Sequence, residues 1–444
     1  MSQALLQAWE KTLRLHGGKR AVMQAGNGAA VTFRELDARA ADWARTCVPA
    51  PALVRGRAVV FTAENGIGWL QIFLGLLKAG AVVVPLDAAE PPQAQQSLAV
   101  SLRAAAWWNG AKLEFLPRAR RWRDAEVCLI KLTSGTMGKP RALVFTAGQL
   151  LADGRQVTAT MGIGPRDLNY ALIPLGHSYG LGNLTLPLLA QGVPLVCGSA
   201  PLPHAIAADF ARWRPTVFPG VPALWRAIAA SELVLPGLRL AISAGAPLPP
   251  EVASDFAARF GQPLHSFYGS SETGGITYDR TGQATLAGEV GGALHGVRLT
   301  ALRGARLQVC SAAVLTHGQR RRSGTLGAWI MPDRALLGVH GGVTLLGRRG
   351  STVKIAGRRV NLGEVCDQLL RLPGVRQAWV GLGAGTEPAL RAVVATERRG
   401  EELRADLLGG MAAWKVPKRI RVLPALPLTP RGKIDTRALQ AMKS

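Results

Sequence analysis

Strand-like apolar runs alternate with amphipathic helical patterns along most of this chain, and that alternation restricts the folds open to it. Runs such as AVVVPLD, PLVCGSA and LRLAISAG are largely apolar, whereas FRELDARAADWARTC and EVASDFAARFG repeat apolar residues at helical spacing. Strands that are apolar on both faces are buried between helical layers, and strands that alternate with helices build parallel sheets. The sequence therefore predicts an α/β fold, with a large layered domain of mostly parallel sheets.

A second, smaller unit follows the Gly/Arg-rich segment LLGRRGSTVKIAGRRV. It contains a helix pattern, LGEVCDQLLRLPG, two strand patterns, QAWVGLG and LRAVVAT, and then a helix and an extended tail. A chain of 444 residues also exceeds what one hydrophobic core usually supports. We therefore predict a large N-terminal domain over residues 1–349 and a small, mobile α+β domain over residues 350–444.

The composition is that of a folded protein. Hydrophobic residues make up 48% of the chain and charged residues 18%, which excludes the class of disordered chains. The apolar stretch from Trp69 to Leu86 is interrupted by Lys78 and Gly80, so no membrane span is expected. The start, MSQALLQAWEKTLRLHGG, predicts an amphipathic helix rather than a signal peptide, and the five cysteines form no CxxC pair. These features predict reduced thiols and a cytoplasmic location.

The net charge of +25 is unusual, and it admits an acidic protein, an anionic membrane or nucleic acid as a partner. Arginine greatly outnumbers lysine, which is a bias that a GC-rich genome also produces. The basic runs at 118–123 and 320–322 have little aromatic interleaving, and the chain has no nucleic-acid recognition motif. Nucleic acid is therefore not expected, whereas an acidic partner protein stays open.

The segment KLTSGTMGKPRALVFT, residues 131–146, has the composition of a phosphate-binding loop. Glycines let backbone N–H groups approach an anion, hydroxyls donate to phosphate oxygens, and the cations Lys139 and Arg141 offset its charge. The pattern GxxxxGK[ST] is absent, so this is not a Walker loop. For this segment taken alone, a Gly/Thr hairpin turn is the competing interpretation.

Further segments follow in a fixed order. They are ISAGAPLPPEV, FYGSSETGG, Asp333, LLGRRGSTVKIAGRRVNLGEV and PLTPRGKIDTRAL, with TFRELDARAADWA and WLQIFLGLLKAGAVVVPLD ahead of them. Together with the phosphate loop, they closely resemble the adenylate-forming superfamily of acyl-CoA synthetases, non-ribosomal peptide adenylation domains and firefly luciferase. The resemblance extends over nearly the whole chain.

The resemblance implies an ATP site. The residues that it assigns to the β- and γ-phosphates are Thr133, Ser134, Gly135, Thr136 and Gly138. The residues that it assigns to adenine, the α-phosphate and ribose are Gly245, Ala246, Pro247, Tyr268, Gly269, Ser271, Glu272, Asp333 and Arg348. Within that set Tyr268 stacks on adenine, and Glu272 holds Mg²⁺ that is shared with the phosphates. Met137 and Arg141 depart from the usual threonine and lysine of this superfamily.

The resemblance also implies catalytic residues. Lys433 bridges the acid's carboxylate and ATP during adenylation, and it acts beside Glu272. His177 lies between nucleotide and acyl pocket, although a satisfied buried histidine is an equal alternative. The candidates that line the acyl pocket are His177, Tyr179, Asn183, Phe218, Pro219, Gly220 and Val221. Lys354 and Gly357 line the approach of the thiol after the small domain has moved.

The predicted reaction is ATP-dependent activation of a fatty or aromatic carboxylic acid as acyl-AMP, followed by thioester formation with coenzyme A (CoA). ATP, Mg²⁺ and CoA are the expected cofactors. One alternative is a ligase that loads the phosphopantetheine of an acidic acyl carrier protein. Another is a non-catalytic nucleotide-binding or basic interaction protein, an idea that rests on Met137, Arg141 and the glycine Gly350, where the superfamily usually has a hinge acid.

Overall fold

A computed structural model describes residues 3–133, 141–316, 326–348, 352–355, 358–383, 389–429 and 434–442. The chain divides into two compact units. The large unit comprises Met1–Thr300, Gln308–Trp329 and Val339–Val343, and the small unit comprises Ala301–Leu307, Ile330–Gly338 and Thr344–Ser444. The boundary between residues 349 and 350 stays a prediction, because both residues lie outside the described ranges.

The described helices and strands follow the alternation that the sequence predicts. The α-helices are α1 (Gln3–His16), α2 (Phe33–Cys47), α3 (Pro51–Val54), α4 (Ile67–Lys78), α5 (Pro92–Ser101), α6 (Ala147–Met161), α7 (Ser178–Gly180), α8 (Leu186–Gln191), α9 (Pro203–Trp213), α10 (Pro222–Ala229), α11 (Pro250–Phe260), α12 (Gln283–Leu286), α13 (Leu362–Leu370), α14 (Gly400–Gly410) and α15 (Thr436–Ala441). A π-helical turn spans Leu181–Thr185, and a 3-10 turn spans Ala413–Lys415.

The strands of the large unit's two main sheets are β1 (Arg20–Gln24), β2 (Ala30–Thr32), β3 (Ala58–Phe61), β4 (Val82–Pro85), β5 (Ala106–Trp108), β6 (Leu113–Phe115), β7 (Val127–Thr133), β8 (Arg141–Thr146), β9 (Asn169–Ala171), β10 (Leu195–Cys197), β11 (Val217–Gly220), β12 (Leu240–Ser243), β13 (Leu264–Ser270), β14 (Gly274–Tyr278) and β15 (Gly292–Ala293). The remaining strands are β16 (Arg298–Leu302), β17 (Arg306–Ser311), β18 (Gly327–Leu337), β19 (Val343–Arg348), β20 (Thr352–Ile355), β21 (Arg358–Asn361), β22 (Gln377–Leu382), β23 (Leu390–Ala395) and β24 (Arg419–Leu423).

The large unit is built on two sheets. The first has nine strands in the order β15-β14-β13-β12-β11-β9-β10-β1-β2, parallel from β13 to β1 and antiparallel at both ends. The second has six strands in the order β6-β5-β3-β4-β7-β8, with four parallel strands between antiparallel edges. Parallel sheets of this kind need helices on both faces, because their strands are apolar all round.

Three apolar clusters show how the sheets are covered. The largest joins one face of each sheet to helices α1, α2, α4, α6 and α8, so these helices form a layer between the two sheets. Helices α9, α10 and α11 cover the other face of the nine-stranded sheet, and α5 packs on the outer face of the six-stranded sheet. Alternate residues of one strand belong to different clusters: Val59 and Phe61 to the inner one, Ala58 and Val60 to the outer one. The large unit therefore has five alternating layers.

Helix boundaries follow local chemistry. Thr32 and Thr146 each cap a helix with a reciprocal capping box, in which the third helical residue, Glu35 or Gln149, bonds back to the threonine backbone. Helix α2 spans the residues of the FRELDARAADWARTC pattern. The apolar run ALVRGRAVVFT, residues 52–62, has the composition of a strand, but only its second half forms one, β3. Its first half belongs to the helical turn α3, which Pro51 initiates.

The small unit contains a three-stranded sheet, in the order β22-β23-β24, whose core includes residues of α13 and α14. Strands β22 and β23 are antiparallel, and β24 is parallel to β23. The tail was predicted to be extended, which agrees with strand β24, but it also contains helix α15. Arg391 explains part of this difference, because its guanidinium donates to the carbonyls of Leu439, Gln440 and Met442 at the end of α15. Within the described ranges, we find no helix with the length and hydrophobicity of a membrane span.

Candidate active site

Four neighbouring strands of the nine-stranded sheet bring several of the predicted site residues to the same end of that sheet. Strands β9, β11, β12 and β13 are adjacent and parallel, so their carboxyl ends lie on the same side. The segments that follow these ends are 172–179, Val221, 245–247 and 271–273. Ligands of open α/β sheets bind at such an edge. The fold thus brings together groups that are separated by about a hundred residues of sequence.

The FYGSSETGG segment forms a β-hairpin between β13 and β14, and Glu272 lies in its turn. The Glu272 N–H donates to Ser270 Oγ at 3.2 Å, and its carbonyl accepts from the Leu315 N–H at 2.8 Å. Gly274 adopts φ +71°, a conformation that glycine takes at little cost. Both backbone groups of Glu272 are therefore fixed.

The carboxylate of Glu272 is half-buried, and among the residues that the structure describes none donates a hydrogen bond to it. The described residues also contain no cluster of three or more His, Cys, Asp or Glu side chains that could hold a metal by themselves. Mg²⁺ in nucleotide sites typically takes one or two carboxylates together with phosphates and water. The available carboxylate of Glu272 fits that kind of shared site.

A direct contact joins this hairpin to the segment PLGHSYG, residues 174–180, which follows β9 and whose last four residues are called the HSYG segment. Ser178 Oγ donates to Ser271 Oγ at 2.9 Å, and the rings of Tyr179 and Phe267 stack with centroids 5.8 Å apart. The residue predicted at the α-phosphate, Ser271, therefore lies beside the segment predicted to border the acyl pocket. The serine at 178 is a site neighbour that the sequence analysis did not single out.

His177 precedes helix α7 and is half-buried. Its Nδ1 accepts from the Tyr179 N–H at 3.5 Å, which orients the ring at the helix start. Tyr179 itself is buried, its hydroxyl donates to the Ile242 carbonyl at 3.4 Å, and burial raises the pKa of this phenol well above its ordinary value. Tyr179 is therefore neutral, and its place in an acyl pocket stays a prediction. Asn183, in the π-helical turn, donates to the Tyr179 carbonyl at 3.2 Å.

The other acyl-pocket candidates lie in β11 or directly after it. Gly245 has φ +89°, and a Cβ at that position would lie 3.7 Å from Val221 Cγ1, so Val221 borders the predicted adenine segment. Gly220 faces Trp225, whose Nε1 would be 2.8 Å from an added Cβ. Phe218 is fully buried among Tyr170, Phe210 and Trp225 in the core under α10. Its part in an acyl pocket stays a prediction.

Two buried charged residues below the hairpin were missed by the sequence analysis. Lys131, in β7, and Asp153, in α6, are only 4% and 3% exposed. Burial lowers the pKa of Lys131 and raises the pKa of Asp153, and each residue's charge partly offsets the effect on the other. The only signal in the sequence was a lysine inside an otherwise apolar strand, VCLIKLT.

The remaining predicted residues are placed as follows. Thr133 ends β7 opposite Arg141 of β8, whose guanidinium lies 5.4 Å from the ring centre of Trp329. Ala246 and Pro247 are exposed, and Tyr268 is half-buried and Gly269 exposed in β13. In the small unit, Asp333 lies half-buried in β18, and Arg348 and Lys354 belong to β19 and β20. The predicted site residues that lie outside the described ranges are Ser134, Gly135, Thr136, Gly138, Gly357 and Lys433.

The sequence as a whole matches a known family. The family described as AMP-binding enzyme covers residues 9–107 and 102–309, which is more than half of the chain. This chain belongs to the AMP-binding enzyme family. The match includes the HSYG segment, the strand ends and the SSET hairpin, so the family assignment falls on the residues that the fold assembles at one edge.

Curated relatives of this AMP-binding enzyme include ligases of aromatic acids. Feruloyl-CoA synthase of an Amycolatopsis species is 27% identical over 458 residues, which cover 92% of this chain and 93% of that enzyme. Benzoate–CoA ligase of Thauera aromatica is 28% identical over 345 residues, covering 70% of this chain and 65% of the ligase. The non-canonical nonribosomal peptide synthetase CymA of Salinispora arenicola is 30% identical over 421 residues, covering 85% of this chain. The chain spans only 5% of the length of CymA.

A solved structure shows the same fold. The O-succinylbenzoate coenzyme A synthetase of Bacillus subtilis, in complex with AMP, superposes with a TM-score of 0.82 at 18% identity, covering 98% of both chains. Together these findings confirm the predicted superfamily, the predicted α/β fold class and the predicted class of enzyme, an acid–thiol ligase that forms an adenylate.

Proposed function

We propose that this enzyme joins an aromatic carboxylic acid to CoA through an acyl-adenylate. The observation that carries the proposal is the hydrogen bond between Ser178 and Ser271, which unites the acyl-side segment with the Mg²⁺ and α-phosphate hairpin. The acid class rests on relatives named for ferulate and benzoate. Aromatic acids are favoured over the fatty acids that the sequence also allows, because Tyr179 and Phe267 offer a stacked aromatic wall.

In the first step an oxygen of the acid's carboxylate attacks the α-phosphorus of ATP, and pyrophosphate leaves. Ser271 donates to the α-phosphate, and Lys433 offsets charge that grows on the phosphorus and on the attacking oxygen. Glu272 would hold Mg²⁺, which would offset the charge of the phosphates. In the second step the thiol of CoA gives its proton to solvent and attacks the acyl carbon, and AMP leaves. The resemblance assigns Lys354 and Gly357 to the path of the thiol.

A second candidate is transfer to the phosphopantetheine of a carrier protein. It is favoured by the similarity to a nonribosomal peptide synthetase and by the net charge of +25, which complements an acidic carrier protein. We also propose a cytoplasmic location, because Cys47, Cys128, Cys197, Cys310 and Cys366 are free thiols that suit a reducing compartment.

The test is turnover by the purified enzyme with ATP, Mg²⁺ and a panel of aromatic and fatty acids. Release of AMP and pyrophosphate with formation of an aryl-CoA supports the proposal. Loading of a phosphopantetheinylated carrier protein without CoA thioester formation favours the second candidate. If the enzyme does not bind ATP, the proposal of adenylation is refuted, and the alternative of a basic interaction protein is then favoured.

The lysine that resemblance assigns to adenylation offers a matched pair of variants. Lys433→Ala should abolish acid-dependent ATP/pyrophosphate exchange, with a loss of roughly 10²-fold or more, because charge on the reacting phosphorus loses its cation. Lys418→Ala removes an exposed lysine of the same small unit and should leave exchange unchanged. Equal activities of the two variants would contradict the role of Lys433.

A further inference from the structure

Two buried charged residues, Lys131 and Asp153, adjoin three segments of the predicted site: the phosphate loop, the Glu272 hairpin and the HSYG segment. Lys131 lies in β7 two residues before Thr133, the first residue assigned to the β- and γ-phosphates, and Asp153 lies on the helix that follows β8 and binds the Glu272 hairpin. Buried charges are costly unless they are paired or hydrogen-bonded. Two buried charged residues beside a predicted phosphate site therefore indicate a role other than packing.

Asp153 holds the end of the hairpin. Its Oδ1 accepts from the Gly275 N–H at 2.9 Å, and the same oxygen lies so close to Gly274 that a Cβ there would overlap it. On its other side, Oδ2 would be 3.1 Å from a Cβ at Gly182, in the π-helical turn that follows the HSYG segment. One carboxylate therefore touches the segments that carry Glu272 and His177.

Lys131 lies with its ammonium 4.4 Å from the ring centre of Phe145, in β8. The acidic residues within its electrostatic reach are Asp153 and Glu272, and both raise its pKa against the lowering effect of burial. The charges of two carboxylates therefore act on Lys131, one that binds the hairpin backbone and one that is predicted to bind Mg²⁺.

We propose that Asp153 is a positioning residue of the adenylation site, holding the Glu272 hairpin through Gly275 and neutralising Lys131 so that Glu272 stays available to Mg²⁺. This inference rests on the proposed function, since it assumes that Glu272 serves Mg·ATP. Without the charge of Asp153, the cation at Lys131 faces Glu272 alone and competes with the metal. With both charges removed, Glu272 is left to the metal again.

The test compares wild type with Asp153→Asn, Lys131→Met and the double variant. Asp209→Asn is the matched control, because Asp209 is also buried but binds Tyr170 and Ser199 on the other face of the sheet. ATP binding is measured calorimetrically at increasing Mg²⁺, with thermal unfolding and acid-dependent pyrophosphate exchange in parallel.

Asp153→Asn should raise the Mg²⁺ concentration for half-maximal ATP binding on the order of 10-fold, and the double variant should return it to within about 2-fold of wild type. Asp209→Asn should lower only the melting temperature. The proposal is overturned if Asp153→Asn shifts the Mg²⁺ dependence no more than Asp209→Asn does, or if adding Lys131→Met leaves the shift in place.

If Asp153→Asn does not fold, two double variants without either charge test whether Asp153 positions the hairpin. Asp153→Asn with Lys131→Met keeps an oxygen for the Gly275 N–H, whereas Asp153→Ala with Lys131→Met does not. The alanine version should lose about 10²-fold in the kcat of exchange, as expected for a displaced hairpin, and equal kcat values overturn the positioning role. A wild type that binds Mg·ATP yet ligates no acid refutes the proposed function only, because metal-dependent binding still tests Asp153.

Discussion

Ser178 and Ser271 share one hydrogen bond, so replacing each separately distinguishes a phosphate contact from a structural one. The bond joins two neutral hydroxyls on half-buried residues at 2.9 Å. Its loss should cost about 0.5–1.5 kcal/mol of unfolding free energy, whichever serine becomes alanine. The double variant should lose no more than either single variant, because the same bond is broken in all three.

The two serines should differ in catalysis. Ser271 is assigned to the α-phosphate, and a hydrogen bond to a charged group contributes about 1.5–3 kcal/mol. Ser271→Ala should therefore reduce kcat/KM for ATP roughly 10–150-fold. Ser178→Ala removes only the neutral partner and should change kcat/KM by less than about 3-fold.

The assay is acid-dependent pyrophosphate exchange with ATP varied at a saturating acid concentration, and thermal unfolding gives the stability of the same samples. Equal losses of kcat/KM in both variants would refute the reasoning, because the hydroxyl of Ser271 would then act only through the hairpin's geometry. If Ser271→Ala kept the wild-type kcat/KM, Ser271 would make no contact with the α-phosphate.

Two further predictions concern stability. An alanine Cβ at position 180 would overlap the Pro174 carbonyl oxygen, so Gly180→Ala should cost about 1–3 kcal/mol of unfolding free energy. The control is Gly164→Ala, whose Cβ meets nothing within 4 Å. Equal melting temperatures of the two variants would contradict the close packing of Gly180 on Pro174. Burial raises the pKa of Asp167, but hydrogen bonds from Arg239, Gly164 and Thr216 outweigh it and hold the pKa below its ordinary value. The stability from this depressed pKa is present above the unfolded pKa of about 3.9 and is lost as pH falls through the folded pKa, so the melting-temperature gap between wild type and Asp167→Asn should narrow below about pH 4. The ion pair between Asp167 and Arg239 would be contradicted by a melting-temperature gap that does not change with pH. It would also be contradicted if the exposed variant Asp255→Asn showed the same gap.

The elements whose signal is local could be predicted from the sequence. Helix α2 and the α4–β4 unit follow from residue spacing, and Thr32 with Glu35 shows where α2 begins. The hairpin residues Ser271 and Glu272 were found because the motif around them is contiguous. The tail differed from its prediction because α15 depends on Arg391, a partner about fifty residues earlier in the chain.

The supporting residues could not be predicted. Asp153 contacts Gly275 across 122 positions of sequence, and Ser178 contacts Ser271 across 93, so no local pattern signals either pair. Phe218 could not be placed for a different reason: it was predicted to line the acyl pocket, and it lies in the core under α10. Strand residues alternate between faces, and the sequence does not say which face of β11 meets the core under α10.

The four parallel strand ends have a consequence for how new specificities arise. Each strand is fixed in register by its neighbours, whereas the connections after β9 and β11 leave the sheet and carry residues that are predicted to border the acyl pocket. Recombining these connections between related ligases should therefore change which acid is recognised while the strands that hold the Glu272 hairpin stay the same. Libraries restricted to 174–179 and Val221 are the economical route to retargeting this enzyme toward other acids, because they leave the predicted adenine segment 245–247 unchanged.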